Sequence, residues 1–299
     1  MRTEKNILIA FLLNISFSIF EIIGGIFTNS IAIISDAIHD FGDAISIGIS
    51  YFLEKKSKRK PDNKYTYGYT RYSILGAMIT NTILILGSIL VIYNAVERII
   101  NPKEINYDGM IFFAVLGVIV NSLAVYVTKK GDSLNQKAVN LHMLEDVLGW
   151  LVVLISAVII KATHINVIDP IMSIGVAGFI LIHALKSCKT IIELFLEKTP
   201  DGIDVDELKK HLLKIEEVKD IHHIHVWSID GFNNFVTMHV VVELNNMKKV
   251  KQQIKAELKE HNITHTTIEF ETEDEQCEEL GCEIAVEHNS KHHHHHHVH

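Results

Sequence analysis

Six apolar blocks fill most of the first two hundred residues, and they constrain the fold more than any other feature of the chain. They run approximately over residues 7–27, 31–53, 73–93, 109–128, 140–160 and 171–193. A hydrocarbon core about 30 Å thick needs roughly 20 apolar helical residues to cross it. A helix also satisfies its own backbone hydrogen bonds, which lipid cannot do. The pattern therefore predicts six transmembrane helices. The breaks between blocks carry turn chemistry: Thr28-Asn29-Ser30, Asn101-Pro102, Gly131-Asp132 and Asp169-Pro170. No small-residue cleavage motif follows the first block, so it reads as a retained helix rather than a signal peptide.

Basic residues predict the orientation. The loop between the second and third blocks holds Lys55, Lys56, Lys58, Arg59, Lys60, Lys64 and Arg71, and the next loop on that side holds Lys129, Lys130 and Lys137. The opposite loops hold only Arg98, Lys103 and Lys161. The positive-inside rule then predicts a multi-pass protein of the cell (inner or plasma) membrane with both termini in the cytoplasm. A net charge of −8 leaves no dominant basic surface and excludes a nucleic-acid partner. Three cysteines, Cys188, Cys277 and Cys282, imply no disulfide framework. The ending KHHHHHHVH reads as a purification tag.

After Pro200 the pattern changes from membrane to soluble. Asp204 to Ile215 reads as an amphipathic helix, Ile221 to Ile229 and Phe235 to Glu243 as strands around the turn Asp230-Gly231, Met247 to His261 as a charged helix, and Thr266 to Glu271 as a last strand. The expected division is a six-helix transmembrane domain at 1–199, a small α+β domain of order αββαβ at 200–276, and a tail at 277–299. About 75 residues make a marginal domain alone, so a homodimer is expected.

The chemistry sits inside the membrane. The second block contains His39-Asp40-Phe41-Gly42-Asp43 and the fifth His142-Met143-Leu144-Glu145-Asp146. In each, His and Asp lie four residues apart, on one helix face. Side by side, two such helices offer two imidazole nitrogens and two carboxylate oxygens, a tetrahedral set for Zn²⁺ and acceptable for Co²⁺ or Cd²⁺. Two Asp facing one dication sum to zero charge, whereas isolated carboxylates at that depth are costly. Without the cation they take up protons, so binding competes with protonation, the basis of metal/proton exchange. Asp40 and Glu145 are expected on other faces of these helices, as access-path or supporting groups. Asn14, Asn81 and Asn121 read as interhelical hydrogen-bonding groups, Glu21 as structural or cation-guiding, and Asp169 as a helix cap. The plainer alternative for both His/Asp pairs is helix packing.

These residues resemble the cation diffusion facilitator family, in its zinc-transporting branch. The resemblance rests on Asn29-Ser30-Ile31-Ala32, Ser35-Asp36-Ala37-Ile38-His39 with Asp43, Tyr65-Thr66-Tyr67-Gly68-Tyr69 with Arg71, Ser133-Leu134-Asn135 leading to His142 and Asp146, Asp169-Pro170, and His222 to Trp227. It implies a homodimer that exchanges cytoplasmic Zn²⁺ for protons by alternating access, with His39, Asp43, His142 and Asp146 as the transport site. It also implies a metallochaperone-like cytoplasmic domain that binds further zinc, with His222, His239 and Glu271 at matching positions and Cys277 and Cys282 near additional thiolate positions. Tyr65 and Tyr69 stand where some members bind metal, so none is expected there, and Ser73 stands where a glutamate is common. On the first strand, alternation places His223 and His225 on one face and His222 on the other; His265 and Glu269 are further candidates, and Trp227 reads as a packing or interface residue. No P-loop supports ATP-driven pumping, and the absence of HExxH counts against an intramembrane metalloenzyme. A metal sensor would share the transporter's ligands, so flux alone separates those two readings.

Overall fold

The computed structural model describes residues 2–28, 31–101, 107–131, 133–163, 167–243 and 247–275; within helices a few side chains, those of His39 and Asp169 among them, lie outside the described set. Cys277, Cys282 and the terminal histidine run also lie outside it. The chain forms two compact units: the residues up to Lys198 with Ser228–Phe232, and Thr199–Trp227 with the residues from Asn233 on.

The first unit is a bundle of six long helices: α1 (Arg2–Thr28), α2 (Ile31–Ser57), α3 (Arg71–Ile100), α4 (Tyr107–Thr128), α5 (Leu134–Thr163) and α6 (Ile168–Phe195). Several outrun their apolar blocks. The block marks only what needs a hydrocarbon solvent, whereas the helix continues through polar turns such as Asn135-Gln136-Lys137 at the start of α5. Among the described residues, five of the six helices are long and apolar enough to cross a membrane. The sixth, α2, is as long but carries Asp36, Asp40 and Asp43 within its apolar stretch.

Burial in the bundle is inverted relative to a soluble protein. Phe52, Leu86, Tyr126 and Val158 face outward, while Asn14, Ser18, Glu21, Ser46, Ser50, Asn81 and Asn121 are buried. That distribution suits a lipid exterior, where apolar surface costs nothing and polar side chains turn inward to find partners. Small residues set the helix spacing. A Cβ on Gly117 of α4 would stand 2.6 Å from the indole Nε1 of Trp150, so only glycine lets α5 approach there. Trp150 in turn meets Phe17 of α1 edge-to-face at 5.9 Å.

The loop from α2 to α3 is held by Asp62, which accepts the backbone amides of Lys64 and Tyr65 and the hydroxyl of Tyr69 at 2.5 Å. The rings of Tyr65, Tyr69 and Tyr72 cluster, and the Lys56 ammonium sits 4.0 Å from the Tyr72 ring centre. Tyr65 and Tyr69 are thus engaged with Asp62 and one another.

The second unit contains α7 (Val205–Leu212), β1 (Val218–Ser228), β2 (Asn234–Val242), α8 (Met247–Glu260) and β3 (Ile263–Glu271), in sheet order β1-β2-β3. Asp204 caps α7 by accepting the amides of Asp206 and Glu207. Five residues join β1 to β2, too few for a crossover, so that pair is antiparallel, with Gly231 at φ +88 in the turn. α8 is the crossover that makes β2 and β3 parallel, with His239 opposite Glu269 and Val241 opposite Glu271. Val250, Ile254 and Leu258 form a stripe on α8 that packs with Leu208 and Leu212 of α7 against Val236, Met238, Val240 and Val242 of β2. Both helices therefore cover one sheet face and leave the other to His239, Glu269 and Glu271.

Asp62 holds the Tyr69 hydroxyl up to about 12, chiefly through their hydrogen bond. A raised native pKa stabilises the loop below the unfolded tyrosine value near 10 and loses that contribution as pH passes through about 12. Alkaline titration of tyrosine absorbance is expected to show a late step that Tyr69→Phe removes; its persistence in the variant would break this assignment.

Candidate functional site

α2 and α5 touch over only a short stretch, and their polar residues meet there. Nε2 of the buried His142 lies 3.5 Å from Oδ1 of the buried Asp43. One ligand atom from each of Asp43, His142 and Asp146 falls within 4.8 Å of the other two. Neither ring nitrogen of His142 completes a hydrogen bond among the described residues. Buried polar atoms normally have partners, so an imidazole in that state is suited to receive a ligand. From α1, the Asn14 amide donates to Asp146 Oδ2 at 3.5 Å. The Asn14 side chain thus orients a candidate ligand, beyond the helix-packing part expected of it.

These groups line a cavity of about 340 Å³ that also takes in Asp40, Glu145, Gly87, Gly149 and Arg98. Asp40 and Glu145 were expected on other faces; they instead share this cavity. The reason is helical geometry: a step of three residues turns the side chain by about 60°, which leaves Asp40 beside Asp43 and Glu145 beside His142. The Glu145 carboxylate lies 4.0 Å from Nδ1 of His142 and accepts the hydroxyl of Ser88 on α3 at 3.2 Å. Ionised carboxylates crowded in one cavity repel each other, and a dication among them would lower that cost. His39 stands one turn before Asp43 on α2, but its side chain lies outside the described residues. Asn81, by contrast, does serve as interhelical glue, donating to Ser187 of α6 at 2.7 Å.

A polar knot sits at the other end of α2, where sequence reasoning singled out Ser73 and the Ser133-Leu134-Asn135 motif but not Glu54. Glu54 is buried and accepts from Ser73 of α3 at 2.6 Å, Asn135 of α5 at 3.3 Å and Ser133 at 3.4 Å. Asn135 also donates to the backbone of Ser50 at 2.9 Å. A Cβ on Gly76 would come within 2.7 Å of the Asn135 amide, so glycine there makes room for the knot.

In the small unit, His222, His239 and Glu271 converge. Nδ1 of His239 is 2.5 Å from Glu271 Oε1, and Nε2 of His222 is 3.1 Å from Glu271 Oε2. All three offer ligand atoms within 4.8 Å of one another. The expected alternation on β1 fails at this point. His223 adopts φ +51, which inserts an irregular step. Ile221, Ile224 and Val226 all join the helix-facing core, a spacing of three and then two. Both His222 and His223 therefore turn toward His239, with ring centres 5.4 and 4.9 Å from it. Glu269 approaches His239 to 3.4 Å, whereas His265 stacks near Phe235 at 4.7 Å, away from the triad. Trp227 also stacks with Phe235, at 5.7 Å.

Sequence reasoning missed one further cluster, His211, Glu257 and His261, on α7 and α8. Its signal was present as a Glu four residues before a His on both helices, Glu207 before His211 and Glu257 before His261.

A helical bundle with an apolar exterior and a buried His/Asp cavity, followed by a small α+β unit, suits a membrane carrier of cations. The family description "Cation efflux transmembrane domain" matches residues 7–196, and "Cation efflux protein, cytoplasmic domain" matches residues 200–273. The chain belongs to the cation efflux family, and is a membrane transporter of divalent metal cations rather than an enzyme. It is 34% identical over 278 residues to a cadmium, cobalt and zinc/H(+)-K(+) antiporter of Bacillus subtilis (strain 168), covering 90% of this chain and 89% of that protein. It is 34% identical over 274 residues to the zinc transporter ZitB of Yersinia pestis, covering 90% and 88% of the two chains. Identity is also 34% over 274 residues to the metal cation efflux system protein CzcD of Cupriavidus metallidurans (strain ATCC 43123 / DSM 2839 / NBRC 102507 / CH34), covering 90% and 86%.

Removing the Glu54 carboxylate should leave the donors of Ser73 and Asn135 unmet, at about 2 kcal/mol. Glu54→Ala is expected to melt several degrees lower than the parent in detergent, and Glu54→Gln, which keeps an acceptor, to fall between the two. Identical melting of all three proteins would remove the knot as a stabilising contact.

Proposed function

We propose that this chain exports Zn²⁺, and also accepts Cd²⁺ and Co²⁺, from the cytoplasm in exchange for protons by alternating access. The observation that carries this reading is the convergence of Asp43, His142 and Asp146 within one buried cavity. His39, one turn from Asp43, completes the tetrahedral set. Two nitrogens and two carboxylate oxygens suit a borderline dication, and charge neutrality with two Asp favours it over a monovalent ion. Protons compete for the same atoms, so loading the site with metal releases protons and protonation releases metal.

The cavity reaches Val91 and Arg98 near the Lys-poor end of α3, while the Glu54 knot ties α2, α3 and α5 at the Lys-rich end. That asymmetry supports an outward-facing stage of the cycle, with the Lys-rich loops and both termini in the cytoplasm. The names borne by the related antiporters support zinc and protons as the exchanged ions. The division at 1–199, 200–276 and 277–299 follows the same reading, with the middle segment as the cytoplasmic domain. Among the described residues, that domain has helices on one sheet face only, which supports pairing of two copies as a homodimer. His222, His239 and Glu271 supply two nitrogens and a carboxylate and fit a regulatory zinc ion, with a fourth position left for solvent or another side chain.

The test is zinc flux into proteoliposomes. Asp43→Ala, Asp146→Ala and His39→Ala are each expected to reduce flux to the protein-free background while the variants elute and melt as folded protein. Collapsing an imposed pH gradient is expected to slow uptake by the parent. Wild-type flux in Asp43→Ala or Asp146→Ala would overturn the site assignment, and indifference to the gradient would overturn proton exchange.

A further inference from the structure

We propose that His211, Glu257 and His261, with Glu207 as a supplementary oxygen, form a second metal site in the small unit, for a borderline dication such as Zn²⁺, Co²⁺ or Ni²⁺. The cluster lies between α7 and α8, on the helix layer, whereas the His222/His239/Glu271 triad lies on the sheet face that those helices do not cover. The two sites are therefore separate.

The site is built from two copies of one local pattern. Glu207 and His211 are one turn apart on α7, and Glu257 and His261 are one turn apart at the end of α8. Packing of Leu208 and Leu212 against Ile254 and Leu258 holds the two helices together beneath them. Glu257 sits between the imidazoles: Oε1 is 3.1 Å from Nδ1 of His211 and 3.6 Å from Nε2 of His261. The ring centres are 5.4 Å apart and Glu207 Oε1 lies 4.0 Å from Nε2 of His211. One ligand atom from each of His211, Glu257 and His261 lies within 4.8 Å of the other two. Tetrahedral zinc with bonds near 2.0–2.1 Å sets its donors about 3.3 Å apart, so small side-chain rotations close the set. Two nitrogens and one carboxylate match the ligand types of borderline dications, and hard ions such as Mg²⁺ prefer all-oxygen sets. Both histidines stand at helix C-terminal ends, where the backbone carbonyls favour a cation. All three groups are partly exposed, between 24% and 33%, which leaves a path for metal entry and a position for water.

Bound metal would clip α7, the first element of the small unit, to α8, the crossover between its parallel strands. The helix pair would then respond to metal independently of the triad on the sheet.

The test compares the full chain, with the terminal histidine run 292–297 removed, to the same chain carrying His211→Ala and His261→Ala. Both are saturated with Zn²⁺ in detergent, dialysed against a weak chelator, and their bound zinc measured by elemental analysis. The double variant is expected to hold one Zn²⁺ fewer per chain, and Glu257→Gln to weaken that one ion at least tenfold. Every other zinc site contributes equally to both sides of the comparison, so the result does not depend on the transport assignment. His211→Gln with His261→Gln, amides of similar reach that preserve packing, are expected to lose the same ion. Equal zinc content in the Gln pair and the parent would overturn the proposal, whatever the Ala pair does.

Discussion

The bundle is organised around the cost of holding carboxylates and an imidazole where there is little water. Asp40, Asp43, Glu145 and Asp146 share one cavity with His142 and Arg98, and lipid-facing leucines offer such groups nothing. Other helices supply dipoles to these groups. Asn14 reaches in from α1 and Ser88 from α3. Gly87 and Gly149 line the cavity without filling it. α2 and α5 barely touch elsewhere, so their relative position is set by the helices flanking them rather than by direct packing. A site made this way can change its ligand distances without breaking a large apolar interface.

The Glu54 knot follows different rules. Its carboxylate gathers short side chains from α3 and the start of α5, and every donor is itself buried or half-buried. Among the described residues, neither ring nitrogen of His142 completes a hydrogen bond, while the knot satisfies its acceptor several times over. One polar cluster lines a cavity and the other ties helices together. The difference lies in the partners, since both contain the same kind of acid on the same helix.

Much of this was legible in the sequence. The apolar blocks marked all six helices, and the four-residue His/Asp spacing on α2 and α5 singled out Asp43, His142 and Asp146, which the fold brings together. Both signals are local: one helix turn or one bilayer thickness defines them. What escaped were features that need several elements at once. Glu54 looks unremarkable beside Lys55 and Lys56 until α3 and α5 surround it. The faces of β1 were misjudged because strict alternation assumes an unbroken strand, and His223 at φ +51 shifts the parity between Ile221 and Ile224. Asp40 and Glu145 share the cavity through the three-residue step, a relation less visible in the sequence than the four-residue His/Asp spacing. The His211 cluster was overlooked because each half reads as an ordinary charged helix surface, and only the packing of α7 on α8 joins them.

Glu271 is the final residue of β3, yet it touches both His222 and His239, which are synthesised tens of residues before it. The side-chain triad at the sheet is thus completed by the strand that is made last, after the α8 crossover. Metal held by all three groups cannot assist the early steps of folding and can reward only a chain whose parallel pairing is finished. Such an ion would act as a seal on the completed domain, not as a nucleus for it.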